Sequence, residues 1–237
     1  MTGSELKAVS RKLMFDNSPR LFFISLLYII IGALVSWLTF RLPGNIDIQN
    51  MYERLSSGEM LSLTMIYSNF RPIGVFLAIL LSLFQPLFDV GFMSFCLKTF
   101  RKQETTYKDL LDGFLFTIKV LSLFIVRFVL IVLWSLLLII PGIVAAYKYR
   151  LAFYILLDDP KKGVMQCIHE SSTIMYGGKV DLFIIEISFW GWFLLDILVI
   201  TLLPLPFALP IVSVWIAPYM GLTIVGFYEE RIRNLAT

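Results

Sequence analysis

Six long apolar stretches, almost free of charge, limit what this chain can fold into. They fall at residues 21–40, 73–97, 115–140, 143–157, 180–203 and 208–227. A bilayer's hydrocarbon core, about 30 Å thick, takes about 20 apolar residues to cross as an α-helix. No water reaches the backbone there, so only helices and closed barrels can span it. The stretches lack the period-two alternation of barrel strands, which leaves helices. The fold class that follows is an all-α membrane protein with six transmembrane helices in a single domain, residues 1–237. Composition agrees: 58% of residues are hydrophobic and only 16% charged, against about a quarter charged in soluble proteins.

Orientation follows from where the basic residues sit. Thirteen of the twenty Lys and Arg lie before the first span, in connectors 98–114 and 158–179, and after the last span. The opposite connectors carry only Arg41, Arg54 and Arg71. Basic connectors stay on the cytoplasmic side, so both termini are expected there. The net charge of +3 reflects this orientation and is no nucleic-acid footprint. Before the first span, Lys7, Arg11, Lys12 and Arg20 resemble the start of a secretory signal. The apolar run is too long for one and no small-residue cleavage site follows Trp37, so it reads as an uncleaved span.

Two amphipathic helices are expected at the membrane interface. Residues 2–17 have capping-box spacing at Thr2 and Glu5 and an apolar face of Leu6, Val9 and Leu13. This helix either lies on the lipid surface or packs beneath the bundle. Residues 160–176 form the second, with Asp159 as N-cap, Pro160 at the first helical position and Gly177 as the stop. Pro141-Gly142 marks a tight turn that sets the third and fourth spans side by side and antiparallel. The second, fourth and sixth spans each carry Pro and Gly, a faint sign of three helical hairpins. The long outer connector 41–72 reads as a lid, a partner surface or a tolerated insertion. Cys96 and Cys167 fall near cytoplasmic helix ends, where a disulfide is unusual.

Charge inside a span is costly and needs a partner or water. Counting about 1.5 Å per residue, Lys148, Arg150 and Asp196 fall roughly 9–12 Å below the outer face. They form one candidate cluster. Asp89, Glu186, Lys119 and Arg127 lie nearer the cytoplasmic face and form a second. One reading is a polar cavity for a lipid headgroup or substrate, lined by Arg127, Lys148, Arg150, Asp196, Asp89 and Glu186, with the arginines binding phosphate bidentately. The other is mutually satisfied ion pairs and snorkelling side chains that fix helix register.

No catalytic, metal or cofactor signature accompanies these charges. His169-Glu170 does not extend to HExxH, because position 173 is Thr. Asp158-Asp159 lacks further acids at metal-ligating spacing. A P-loop and a GxSxG nucleophile elbow are both missing from the sequence.

One set of motifs, in order, resembles a known family. It comprises Pro141-Gly142-Ile143, the aromatic run Tyr147 to Tyr154, Asp158-Asp159-Pro160, His169-Glu170-Ser171, Gly177-Gly178-Lys179, and Ile187 to Trp192. These resemble the bacterial integral membrane proteins grouped as domain of unknown function 975. Pro86, Gly91, Arg101 and Asp112-Gly113-Phe114 also look like that family, so the likeness extends over most of the chain outside 41–72. The resemblance implies a multi-helix protein of the bacterial cytoplasmic (inner) membrane and no established reaction. Together these observations lead to a non-catalytic multi-pass protein that acts through membrane lipids, a protein partner or its own oligomer. The alternative is a small transporter or lipid-handling protein with an intramembrane polar cavity.

Overall fold

Among the described residues the apolar stretches become helices and no strand occurs. The computed structural model describes residues 2–17, 20–41, 56–57, 72–202 and 211–236. The 41–72 connector, apart from Arg41, Ser56, Ser57 and Pro72, and the prolines at 204, 206 and 210 lie outside the described residues.

Residues 31–85 form one compact unit and residues 1–30 with 86–237 form another. Helix α1 is Gly3–Asp16, α2 is Arg20–Arg41, α3 is Pro72–Ser82 and α4 is Gln85–Phe100. A 3-10 turn, Tyr107–Leu111, leads to the short α5, Asp112–Leu115, and to α6, Thr117–Leu137. Then come α7 (Ile139–Lys148), α8 (Ala152–Asp158), α9 (Val164–Ile174), α10 (Lys179–Ile187), α11 (Trp190–Leu202) and α12 (Ile211–Ala236). Among the described residues, five segments are long and apolar enough to cross a membrane: Arg20–Thr39, Ile73–Phe100, Thr117–Leu137, Ile139–Asp158 and Lys179–Val199.

In the smaller unit Gly32 of α2 faces the Gln85 side chain, at ordinary van der Waals distance for an added Cβ. The larger unit holds the polar clusters.

There, α6 and α7 fold back on each other. Ser135 meets Gly142, the Arg127 guanidinium lies 5.7 Å from the Phe153 ring centre, and Lys119 reaches the Pro160 carbonyl. Partners recede from the tip in step, as in an antiparallel pair. The reversal sits at Leu138, whose backbone is extended (φ −162°, ψ 153°), and not at Pro141-Gly142. Those two residues occupy the first turn of α7, where a missing N–H costs nothing. Gly142 lets α7 approach Ser135, because a Cβ would sit 2.9 Å from Ser135 Cα. The tip is apolar and open, with Leu138 68% and Ile139 77% exposed.

Several apolar stretches are interrupted rather than continuous. The fourth breaks between Lys148 and Ala152, and the fifth between Ile187 and Trp190. At the first break Ser171 of α9 bridges the freed backbone: its Oγ accepts from Leu151 N at 3.2 Å and donates to the Lys148 carbonyl at 3.0 Å. One hydroxyl thus satisfies a donor and an acceptor that the broken helix orphans. Beyond the break α8 is core, with Ala152, Phe153, Tyr154, Ile155 and Leu156 all buried.

The connector helix starts at Val164 with Gly163 as its N-cap, later than expected. Asp159 Oδ1 instead accepts from Lys161 N in a local turn. Lys119 takes the Pro160 and Lys162 carbonyls, which a helix begun at Pro160 would give to Val164 and Gln166. The expected stop holds: Gly177 has φ +74°, a left-handed conformation that glycine adopts freely.

At the N-terminus the capping box forms, with Glu5 N to Thr2 Oγ1 at 3.4 Å and Thr2 N to Glu5 Oε2 at 2.9 Å. The buried face is Leu6, Ser10 and Met14; Val9 and Leu13 are only partly covered. The burial is against protein: Leu6 approaches Gly226 of α12, Gly3 approaches Ile185 of α10, and Lys7 Nζ bonds Ser188 Oγ. Both cysteines are free and buried.

Candidate functional site

The charged residues within the spans are sorted differently from their depth in sequence. Arg150 pairs with Glu186, Nε to Oε1 at 3.0 Å, and Tyr147 Oη donates to Oε2 at 2.9 Å. Tyr147 and Arg150 stand three residues apart, a spacing that puts both beside one partner. That spacing was a signal in the sequence for Tyr147. Arg127 joins them through the Phe153 ring, and its Nε is buried without a hydrogen-bond partner. Of the two guanidinium groups, Arg150 alone forms an ion pair with Glu186 among the described residues.

Asp196 does not join Lys148 and Arg150. It is buried and accepts from Val212 N and Ser213 N, both at 2.8 Å, and from Ser213 Oγ. It therefore caps the start of α12, where four backbone N–H groups lack helical partners and a negative charge is favourable. Lys148 turns away, its Nζ 5.4 Å from the Tyr149 ring centre. Asp89 accepts from Tyr28 Oη at 2.8 Å. Lys119 snorkels to connector carbonyls, as noted above.

Lys148 lines a cleft of about 510 Å³ with Lys179, Ser172 and Tyr176. Trp134, Ile140 and Val144 continue it along the α6–α7 hairpin as an apolar wall. Neither lysine has a carboxylate partner among the described residues. Sequence reading missed Ser172, Tyr176 and Lys179, which lie 24 to 31 residues from Lys148, Lys179 beyond the Gly177 turn.

Around the connectors the charges are closely paired. Arg101 binds Asp158 through both terminal nitrogens, at 2.6 and 3.0 Å, and Glu229 through Nε at 2.6 Å. Tyr228 Oη donates to Asp158 at 2.7 Å. The hydrogen bond to Asp158 holds the Arg101 guanidinium above its ordinary range. Burial, then the bond to Asp158, pushes the Tyr228 phenol up. Lys98 joins Asp109 and Asp112 at 2.6 and 2.7 Å. Arg231 donates to the Ile174 and Tyr176 carbonyls, closing the end of α9. These bonds tie the connectors to α4 and α12.

Among the described residues the fold is all-helical, with apolar helices long enough to cross a membrane, which is compatible with an α-helical membrane protein. Residues 119–236 match the family described as Protein of unknown function (DUF975). The motifs from Pro141 onward lie within that match, whereas Pro86, Gly91, Arg101 and Asp112 to Phe114 precede it. No curated protein and no solved structure matches the chain.

Proposed function

We propose that this chain is a non-catalytic, multi-pass protein of the bacterial cytoplasmic membrane that acts by binding the headgroup of an anionic lipid. The observation that carries this is the Lys148–Lys179 cleft, where two cations without carboxylate partners and two hydroxyls meet an apolar wall. An anionic headgroup above an acyl chain has the matching pattern. Six spans with both termini in the cytoplasm remain the reading of the topology. The basic connectors support it, as does α12, whose 26 residues rise about 39 Å, more than the core needs.

The test is native mass spectrometry of the protein released from mild detergent doped with phosphatidylglycerol. Wild type is expected to keep the lipid, and Lys148→Ala with Lys179→Ala is expected to lose it while melting normally. Retention unchanged by the double substitution overturns the proposal.

A second reading, a small transporter or lipid-handling protein, is favoured by Arg127, whose buried Nε is unbonded beside Arg150 and Glu186. A guanidinium left in this state is suited to a passing anion. For this reading, Arg127→Gln stays folded and abolishes anion flux in proteoliposomes. Flux equal to wild type overturns it.

A further inference from the structure

Two adjoining hollows at the start of the first span form a separate amphiphile-shaped site. The first, about 460 Å³, is lined by Arg20, Glu104, Thr105 and Thr106 over a floor of buried Ile24 and Phe95. The second, about 370 Å³, is lined by Phe23, Leu26, Leu27 and Ile30. Tyr107 borders both and joins them. Arg20 and Glu104 have no ion-pair partner among the described residues, so a cation and an anion both face the first hollow unclaimed.

The second hollow is a helical stripe. Phe23, Leu26, Leu27 and Ile30 follow the i, i+3, i+4, i+7 spacing of one face of α2. The stripe runs about 10 Å along the axis, with Phe23 58% exposed and Ile30 43% exposed. Arg20 stands at its head. On the proposed topology Arg20 and the 98–114 connector share the cytoplasmic face, so the polar hollow lies at headgroup level and the stripe descends into hydrocarbon.

We infer that this pair of hollows seats one phospholipid whose headgroup is zwitterionic and carries a primary ammonium. Arg20 and the threonine hydroxyls take the phosphate, Glu104 takes the ammonium, and an acyl chain lies along the Phe23–Ile30 stripe. The carboxylate is what selects the class. It repels a purely anionic headgroup, and it makes charge-assisted hydrogen bonds to an ammonium that a trimethylated amine cannot return. The site shares no residue with the Lys148–Lys179 cleft and rests on the reading that these helices lie in a bilayer.

The experiment places the full chain in mild detergent with equal phosphatidylethanolamine, phosphatidylcholine and phosphatidylglycerol. Adducts are read by native mass spectrometry, and a phosphatidylethanolamine with a photoreactive acyl chain maps the contact. Wild type is expected to retain phosphatidylethanolamine over phosphatidylcholine and to crosslink within Phe23–Ile30. Glu104→Gln is expected to lower phosphatidylethanolamine retention about tenfold, the worth of one charge-assisted bond, and to erase the preference. Arg20→Gln weakens both lipids alike. Burial of the Cys96 thiol against maleimide reports that each variant is folded. Equal retention of the two lipids by wild type, or crosslinks spread over every apolar helix as annular lipid, overturns the site. If phosphatidylglycerol is still retained and lost only on the Lys148/Lys179 substitution, the earlier reading survives that failure. Absence of all three adducts overturns both.

Discussion

Gly91 and Gly113 allow two elements to touch backbone to backbone, and adding a single methyl to either should force them apart. A Cβ on Gly91 of α4 falls on the Leu110 carbonyl and stands 3.0 Å from Leu110 Cα. A Cβ on Gly113 falls on the Leu87 carbonyl and stands 2.9 Å from its carbon. Ordinary contact begins near 3.4 Å, and both obstacles are backbone, so α4 and the 107–115 segment must separate by about 1 Å. A gap of that size forfeits a quarter to a half of each contact well, and a buried leucine makes about 40–60 contacts of about 0.1–0.2 kcal/mol each. Backbone obstacles leave no side chain to yield, so Gly91→Ala is expected to cost about 1–3 kcal/mol, as is typical of overpacking.

Gly113→Ala should cost a similar amount. The double variant should cost much less than both together, since one separation relieves both clashes. The assay titrates purified protein from mild detergent into dodecyl sulfate and follows maleimide labelling of buried Cys96 and Cys167. Gly191→Ala serves as the control: nothing lies within 4 Å of its Cβ, and the change is expected to be neutral or to stabilise by up to about 1 kcal/mol. Gly91→Ala within about 0.5 kcal/mol of wild type, or a double variant equal to the sum of the singles, refutes the reasoning.

Other expectations concern the charges. Asp196→Ala removes the cap of α12 and should lower stability by about 1–2 kcal/mol, with lipid adducts in the native spectrum unchanged; lost adducts at full stability would return Asp196 to a binding role. Tyr228, facing Asp158 and through it Arg101 and Glu229, holds its proton more tightly folded than unfolded. Its contribution is therefore complete below about pH 10, where an unfolded phenol ionises, and is lost as pH rises further. Tyr228→Phe should cost about 1 kcal/mol near neutrality and flatten the alkaline limb of an unfolding curve; an unchanged limb would contradict this.

Local rules of sequence carried as far as local structure did. The Thr2–Glu5 box, the Gly177 stop and the adjacency of the third and fourth spans were legible, because each depends on residues within one or two turns. The pairing of charges was not. Depth counted at a constant rise assumes continuous helices, yet the fourth stretch unwinds at Tyr149 to Leu151 and the fifth at Ser188 and Phe189. Those breaks bring Arg150 to Glu186 and leave Asp196 for the last helix. Asp159-Pro160 has the pattern of a helix start, but Lys119, some forty residues earlier, takes the carbonyls that such a helix would use. No window along the chain contains that competition.

The Arg231 latch on Ile174 and Tyr176 also bears on the order in which the molecule is finished. The carbonyls it closes leave the ribosome more than fifty residues before it does. Helix α1, made long before α12, likewise settles against its Gly226. Until α12 is synthesised, the end of α9 lacks its cation and the first helix lacks its seat. The helices made before α12 are therefore laid down unlocked, and α12 supplies the partner of α1 and the cation of α9 together.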